Sequence, residues 1–200
     1  MRRMKPLLPL LLSLAVWAAC AAPVPAHAST SPGTQNSPSA ELPTVAAIDV
    51  ARYMGTWYEI ANYPNFFQRK CAAGTQATYS LIAQGEDAGR VQVLNRCRRE
   101  SGEWIEAAGV ARQLGGETSA RLKVRFAPAW LSFIPLVWGN YWVIDLDPAY
   151  QLVAVSEPTR EYLWILSRTP QVAPDVYEAL LQRLVALGFD VSALKKTPQP

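Results

Sequence analysis

The stretch "GTWYEIANYP", Gly55 to Pro64, decides how the rest of the chain is read. It has the composition of a β-strand, yet it opens on a Gly-Thr step, follows with Trp57, and sets Glu59 inside an apolar run. Side chains of a strand alternate between its two faces. Trp57, Glu59, Ala61 and Tyr63 therefore share one face, which is expected to point into an interior. A lone carboxylate there is costly unless it is hydrogen-bonded. Glu59 is thus expected to be held by barrel tyrosines or water, or to serve as a polar anchor for a ligand.

Outward from this stretch run further short β segments separated by turn signals. They are Thr56–Tyr63, Thr75–Ile82, Arg90–Cys97, Trp104–Ala111, Ala120–Phe126, Tyr141–Leu146, Leu152–Ser156 and Tyr162–Ser167. Alternation is clearest where Leu122, Val124 and Phe126 interleave with Arg121, Lys123 and Arg125. "QGEDAG" and "LGGETS" are Gly-rich reversals that suit hairpins. Before the first strand, "AAIDVARYMG" reads as a helical turn closed by Gly55. After the last, Pro174–Leu187 reads as a helix with Val176, Leu180, Leu184 and Leu187 on one face and Gly188 as its stop. Eight strands followed by one helix predict an all-β fold: a closed eight-stranded antiparallel up-and-down β-barrel with the C-terminal α-helix packed outside. Such a barrel hides its edges and can enclose one small ligand.

The N-terminus has a different character. Arg2, Arg3 and Lys5 precede an apolar run, Leu7 to Ala19, too short for a stable membrane span. Residues 1–28 are read as a secretory signal peptide. Two cleavage sites compete: "WAAC", which would leave Cys20 lipidated although Trp17 is unusual there, and "AHA" before Ser29. Residues 21–44, rich in Pro, Ser, Thr and Ala, are expected to be a flexible linker to a domain over 45–200. The chain has 19 Lys+Arg and 16 Asp+Glu. The signal holds three of the bases and no acid, so the mature protein is formally neutral and composition offers no argument for nucleic acid. Cys71 and Cys97 remain in an exported protein and pair most simply as a disulfide, two free buried thiols being the alternative. With the hairpin turn near Glu86–Asp87, Gln76 would lie opposite Cys97, so the loop holding Cys71 must fold back.

Three stretches in order, "GTWYEI", "NYWVIDLD" and "LSRTP", resemble the motifs of the lipocalin family, and "YLWILSRTP" resembles its bacterial outer-membrane branch. The resemblance implies that Gly55, Trp57 and Arg168 form the closed end, with Arg168 stacked on Trp57 in a cation–π contact. The Cys71/Cys97 pair is not general to the family. Residues assigned to the ligand pocket are Glu59, Ala61, Tyr63, Tyr79, Val93, Leu122, Val124, Phe126, Tyr141, Val143, Tyr162 and Trp164. The open mouth is expected to gather the loops 64–74, 98–103, 127–139 and 157–161. It would present Phe66, Phe67, Trp130, Phe133 and Trp138 together with Arg69, Lys70, Arg98 and Arg99. An apolar, basic rim suits an amphipathic ligand or a membrane surface, unless the 127–139 loop folds down as a lid.

The only His, His27, lies in the export signal or leader. The body therefore has no His base, no His-based metal site and no haem ligand, and neither a metal nor a cofactor is expected. The resemblance implies a non-catalytic carrier of fatty acids or lysophospholipids for membrane maintenance. It would sit in the cell envelope, as an outer-membrane lipoprotein facing the periplasm or as a soluble periplasmic protein, with a homodimer as a possible state. The rival readings are a carrier of another hydrophobic ligand, such as a pigment or quinone, and a lipocalin-fold enzyme.

Overall fold

A computed structural model describes residues 41–199. The expected export signal with its two candidate cleavage sites, Cys20 and the expected linker up to residue 40 lie outside the described residues. Eight strands appear where the β-runs were read: β1 (Gly55–Asn62), β2 (Ala73–Leu81), β3 (Val91–Arg98), β4 (Trp104–Gln113), β5 (Arg121–Arg125), β6 (Trp138–Leu146), β7 (Leu152–Ser156) and β8 (Leu163–Ser167). Each pairs antiparallel with the next, and β1 pairs with both β2 and β8, so the sheet closes on itself. A ninth strand, β9 (Lys195–Lys196), was not legible in two consecutive lysines.

Closure depends on how β1 divides its two edges. Its first half pairs with β2, from Gly55↔Tyr79 to Tyr58↔Gln76. Its second half pairs with β8 and releases the β2 edge. The C-terminal tail takes that edge: Ala61 faces Lys196 and Asn62 faces Lys195. The Thr197 N–H donates to the Ile60 carbonyl (2.9 Å) and the Gly74 N–H to the Pro198 carbonyl (2.8 Å). The Gln199 amide bridges the carbonyls of Glu59 (2.7 Å) and Thr75 (3.0 Å). The seam between β1 and β2 is thus filled with backbone partners instead of being left as two open edges.

The barrel wall has an apolar cluster on each face. Trp57, Tyr79, Val93, Leu122, Val143 and Leu166 belong to the inner one. On the outer one, Trp142, Ile144, Ala154, Leu163 and Ile165 pack against α2 (Pro174–Ala186). The buried stripe of α2 is Tyr177, Leu180 and Leu184, while Val176 is exposed. The larger Tyr177 ring takes the place against the sheet that periodicity alone assigned to Val176. Gly188, at φ +86°, ends the helix as expected. An irregularity in β6 turns Asp145 outward, where Arg183 of α2 clasps its carboxylate at 2.6 and 2.9 Å. The packed chain also begins before residue 45: Leu42 is fully buried in the outer cluster, and Glu41 pairs with Arg121 at 2.8 Å.

A β-bulge between Glu59 and Ala61 overturns simple alternation along β1. Glu59 lies opposite Leu166 and Asn62 opposite Trp164, both inward residues, whereas Ala61 lies opposite the outward Ile165. Ala61 and Tyr63 therefore leave the expected pocket for the outer cluster under α2. There the Tyr63 hydroxyl donates to the Asp190 carbonyl at 2.9 Å. Asn62 takes the inward place.

Cys71 and Cys97 form a disulfide with a Cα–Cα distance of 5.5 Å, tying the β1–β2 loop to β3. Gln76 faces Arg96 instead of Cys97, and a second irregularity follows between Ala73 and Gln76. The loop folds back, with the Ala72 N–H donating to the Arg98 carbonyl at 2.7 Å.

At the other end α1 (Val50–Tyr53), capped by the Asp49 side chain, leads into Gly55. Gly55 has φ +96°, and a Cβ on it would come within 3.2 Å of the Arg168 guanidinium. That guanidinium lies 3.9 Å from the centre of the fully buried Trp57 ring. It donates to the carbonyls of Arg52 (2.7 Å), Thr56 (3.0 Å) and Tyr150 (3.3 Å). One cation thus satisfies three carbonyls of the segments that cross the base. Arg168→Ala is expected to cost about 2–4 kcal/mol of stability, read as a lowered midpoint in urea with the barrel's circular dichroism retained.

Candidate functional site

Because the strands alternate in direction, the connections 63–72, 99–103, 126–137 and 157–162 gather at the end opposite Trp57 and Arg168. Exposure changes along the inner face toward that end. On β4, Ala111 lies opposite the inward Val91 and is buried, whereas Ala107, opposite Asn95 on the same face, is exposed. The barrel is therefore packed at its base and open to solvent toward these loops, as a cup. Phe126 is half exposed and lies over the inner face of β4: a Cβ on Gly109 would come within 2.8 Å of its ring. Gly109 is the space into which Phe126 fits, a role that only the partner strand reveals.

Of the residues assigned to the pocket, Tyr79, Val93, Leu122 and Val143 are buried in the inner cluster, and Val124, Tyr141 and Trp164 pack against it while keeping part of their surface accessible. Tyr162 stands at the edge, stacked on Trp164 at 5.7 Å and against Phe67 at 5.8 Å. Sequence reasoning missed Tyr53, Asn62, Gln68 and Asn95. Tyr53 sits on the helical turn outside the strands. Asn62 and Asn95 are polar, so an apolar pattern passes over them.

Two polar groups interrupt the apolar lining. The deeper one is a floor of tyrosines: the Tyr141 hydroxyl lies 2.8 Å from that of Tyr53 and 3.0 Å from that of Tyr79. Burial raises all three hydroxyls above their ordinary range, Tyr79 to about 12, so they stay protonated. The second group is built around Gln68 of the β1–β2 loop. Its side-chain oxygen accepts from Asn62 (2.8 Å), Asn65 (2.6 Å) and Trp164 (2.9 Å), and its nitrogen donates to Glu59 at 2.5 Å. The other Glu59 oxygen accepts from the Thr197 hydroxyl at 2.5 Å. Glu59 is therefore held by the mouth loop and the C-terminal tail, and not by tyrosines. Among the described residues no three His, Cys, Asp or Glu side chains gather as a metal site.

At the rim Phe66, Phe67, Trp130, Phe133 and Leu136 are exposed, Leu136 at 95%. The 126–137 segment is two short 3₁₀ turns, braced by Arg125 donating to the Ala129 carbonyl (2.9 Å) and Trp138 to the Ser132 carbonyl (2.8 Å). Trp130, Phe133 and Leu136 stand in solvent, while Leu131, Ile134 and Val137 are half-buried beneath them. Arg69 lies over Phe66 at 4.9 Å, and Lys70 is exposed. One expected rim residue, Trp138, is placed otherwise. It is buried on the outer face between Arg112 and Arg125, whereas Arg98, over Trp104, and Arg99, paired with Glu103, stay exposed at the mouth end.

Burial desolvates the Glu59 carboxylate and raises its pKa, while the bonds from Thr197 and Gln68 offset part of that rise. A carboxyl whose pKa is higher in the folded than in the unfolded chain favours folding most when protonated. Its contribution is full below the unfolded value of ~4.3 and is lost as pH rises through the folded value. Glu59→Gln can accept from Gln68 and donate to Thr197, as the protonated acid does. It is expected to equal or exceed the native chain in stability at pH 7, with the difference vanishing toward pH 4, in urea titrations across that range.

Comparison with known proteins bears on this arrangement. Residues 48–199 match the family described as Lipocalin-like domain. The chain is 41% identical over 160 residues to "Temperature-induced lipocalin-1" of Arabidopsis thaliana, covering 80% of this chain and 83% of that protein. It is 39% identical over 165 residues to "Outer membrane lipoprotein Blc" of Escherichia coli (strain K12), covering 82% and 86%. Among solved structures, insecticyanin from the tobacco hornworm Manduca sexta has a like fold, with a TM-score of 0.58 at 18% identity over 77% of this chain and 82% of that one.

Proposed function

The chain belongs to the lipocalin family, and from that membership and the shape of its cup we propose that it binds and carries lipids, fatty acids or lysophospholipids, in the cell envelope without catalysing their conversion. The observation that carries this reading is an inner wall that is apolar and packed at the base and accessible toward the mouth. An acyl chain leaving water for such a wall gains ~0.8 kcal/mol per buried methylene. The main polar side chains of the cup bond chiefly to one another, which supports binding over catalysis. Mass spectrometry of the protein purified from its own envelope, with lipid extraction, is expected to find one acyl lipid per chain. Empty protein that also fails to bind added lysophospholipid would overturn the carrier reading.

The rim supports loading directly from a bilayer. A tail that crosses water between membrane and cup loses the same ~0.8 kcal/mol for each exposed methylene. Trp130, Phe133 and Leu136 can enter the interface, while Arg69 and Lys70 meet lipid phosphates in a salt-dependent way. The triple change Trp130→Ser, Phe133→Ser, Leu136→Ser is therefore expected to slow uptake from vesicles about tenfold or more, because it removes several interfacial side chains. Equilibrium binding of a soluble short-chain lysolipid should change little. Equal uptake rates would remove the membrane-contact step and leave carriage standing.

We assign the protein to the envelope on the basis of the N-terminal signal. The relative from Escherichia coli, which is by name an outer membrane lipoprotein, favours Cys20 as the anchor. Cys20→Ser is expected to move the protein from the membrane to the soluble fraction. A mature N-terminus at Ser29 in the native protein would decide for the other cleavage site.

A further inference from the structure

The tyrosine floor has more hydroxyl protons than partners for them. Tyr79 comes from β2 and Tyr141 from β6, on separate walls of the barrel, and Tyr53 comes from α1 beneath. Their hydroxyls meet in the lumen through two hydrogen bonds, Tyr53 to Tyr141 and Tyr79 to Tyr141. Each phenol carries one proton to donate. Three protons and two bonds leave one O–H without an acceptor among the described residues, whichever way the bonds run. Tyr53 and Tyr79 are closed in by ring contacts, Tyr53 lying 5.0 Å from Trp57 and 5.7 Å from Tyr79. Tyr141 keeps accessible surface.

We propose that this floor is a polar subsite at the bottom of the cup, which donates a hydrogen bond to an acceptor oxygen at the inner end of the ligand. The ligand class is then a hydrophobic molecule oxygenated at the end that enters first: a hydroxylated or oxidised acyl chain, or an apolar ring bearing a hydroxyl or ketone. A chain ending in a bare methyl would leave the O–H desolvated and unpaired, which a buried donor resists. Burial keeps all three phenols protonated, so the donor persists across the physiological range. The positive charge of Arg168, beyond Trp57, acts on Tyr53 and Tyr79 and further favours an electron-rich oxygen. This inference rests on the carrier reading and narrows its ligand.

The test compares lysophosphatidylcholines of increasing chain length with their ω-hydroxy analogues, by calorimetric titration of the full mature chain. The zwitterionic headgroup stays at the mouth, so the two series differ only at the tail end. At the length that reaches the floor, the ω-hydroxy lipid is expected to bind on the order of fivefold tighter, the value of one typical net hydrogen bond. The triple variant Tyr53→Phe, Tyr79→Phe, Tyr141→Phe keeps every ring, removes every hydroxyl and should bring the ratio to one. Tyr141→Phe alone removes the one hydroxyl with accessible surface and should also bring the ratio to one, whereas Tyr53→Phe removes an enclosed hydroxyl, leaves the Tyr141 proton to the ligand and should keep the preference. A role in packing alone would not separate these two single variants. A ratio of one at every length in the native chain overturns the subsite, as does a preference that survives in the triple variant or in Tyr141→Phe, or one that is lost in Tyr53→Phe. If the native chain binds neither series, the carrier reading fails and the subsite falls with it.

Discussion

β1 has to bond to three neighbours with two edges, and much of the molecule follows from how it does so. Its first half is committed to β2 and its second to β8, which closes the barrel but frees one edge toward the mouth. Free backbone edges in a wall demand partners. The tail at 195–199 supplies them, and in doing so brings Thr197 onto Glu59. The bulge that accompanies the change of partner turns Asn62 inward beside Gln68. One strand's pairing therefore positions the tail, the buried carboxyl and the mouth loop together.

The cup that results is apolar between two polar levels. Near the mouth, Gln68 joins Glu59, Asn62, Asn65 and Trp164, so the β1–β2 loop is held by hydrogen bonds and, through Cys71, by a disulfide to β3. At depth the tyrosine hydroxyls cross the lumen. In a low-dielectric interior such groups are strongly selective about what they face. The wall between these two levels is apolar.

The outer surface accounts for the tryptophans that do not line the cup. Trp104 lies beneath Arg96 and Arg98, Trp138 between Arg112 and Arg125, and Trp142 beneath Arg121. On β4 and β6 an outward ring is covered by arginine, and Trp142 packs in addition in the cluster under α2. Guanidinium groups stack on such rings and keep their edges for hydrogen bonds, which for the buried Arg125 go to the Ala129 carbonyl and Asp87. The family's closed end applies the same interaction inside, with Arg168 on Trp57.

The eight strands, the outer helix, the disulfide pair and the residues of the closed end were legible in the sequence, because alternation, turn residues, cysteine parity and family motifs are local or ordered signals. Rim exposure at Phe66, Phe67, Trp130 and Phe133 was legible for the same reason: apolar residues in a connection cannot all be buried by their own strand. What the tertiary structure alone decided lies where two distant segments meet. Ala61 and Tyr63 were read as pocket residues until the bulge, a consequence of pairing with β8, reversed their face. Trp138 was read as rim until Arg112 and Arg125, from two other strands, enclosed it. Lys195–Lys196 reads as a solvated tail and becomes a strand because β1 offers it an edge. Gln68, Glu59 and the tyrosine floor are contacts across up to 138 residues of sequence, and no local pattern encodes which hydroxyl or amide will stand opposite another. Periodicity states which side of its own strand a residue faces; only closure of the barrel determines what it meets there.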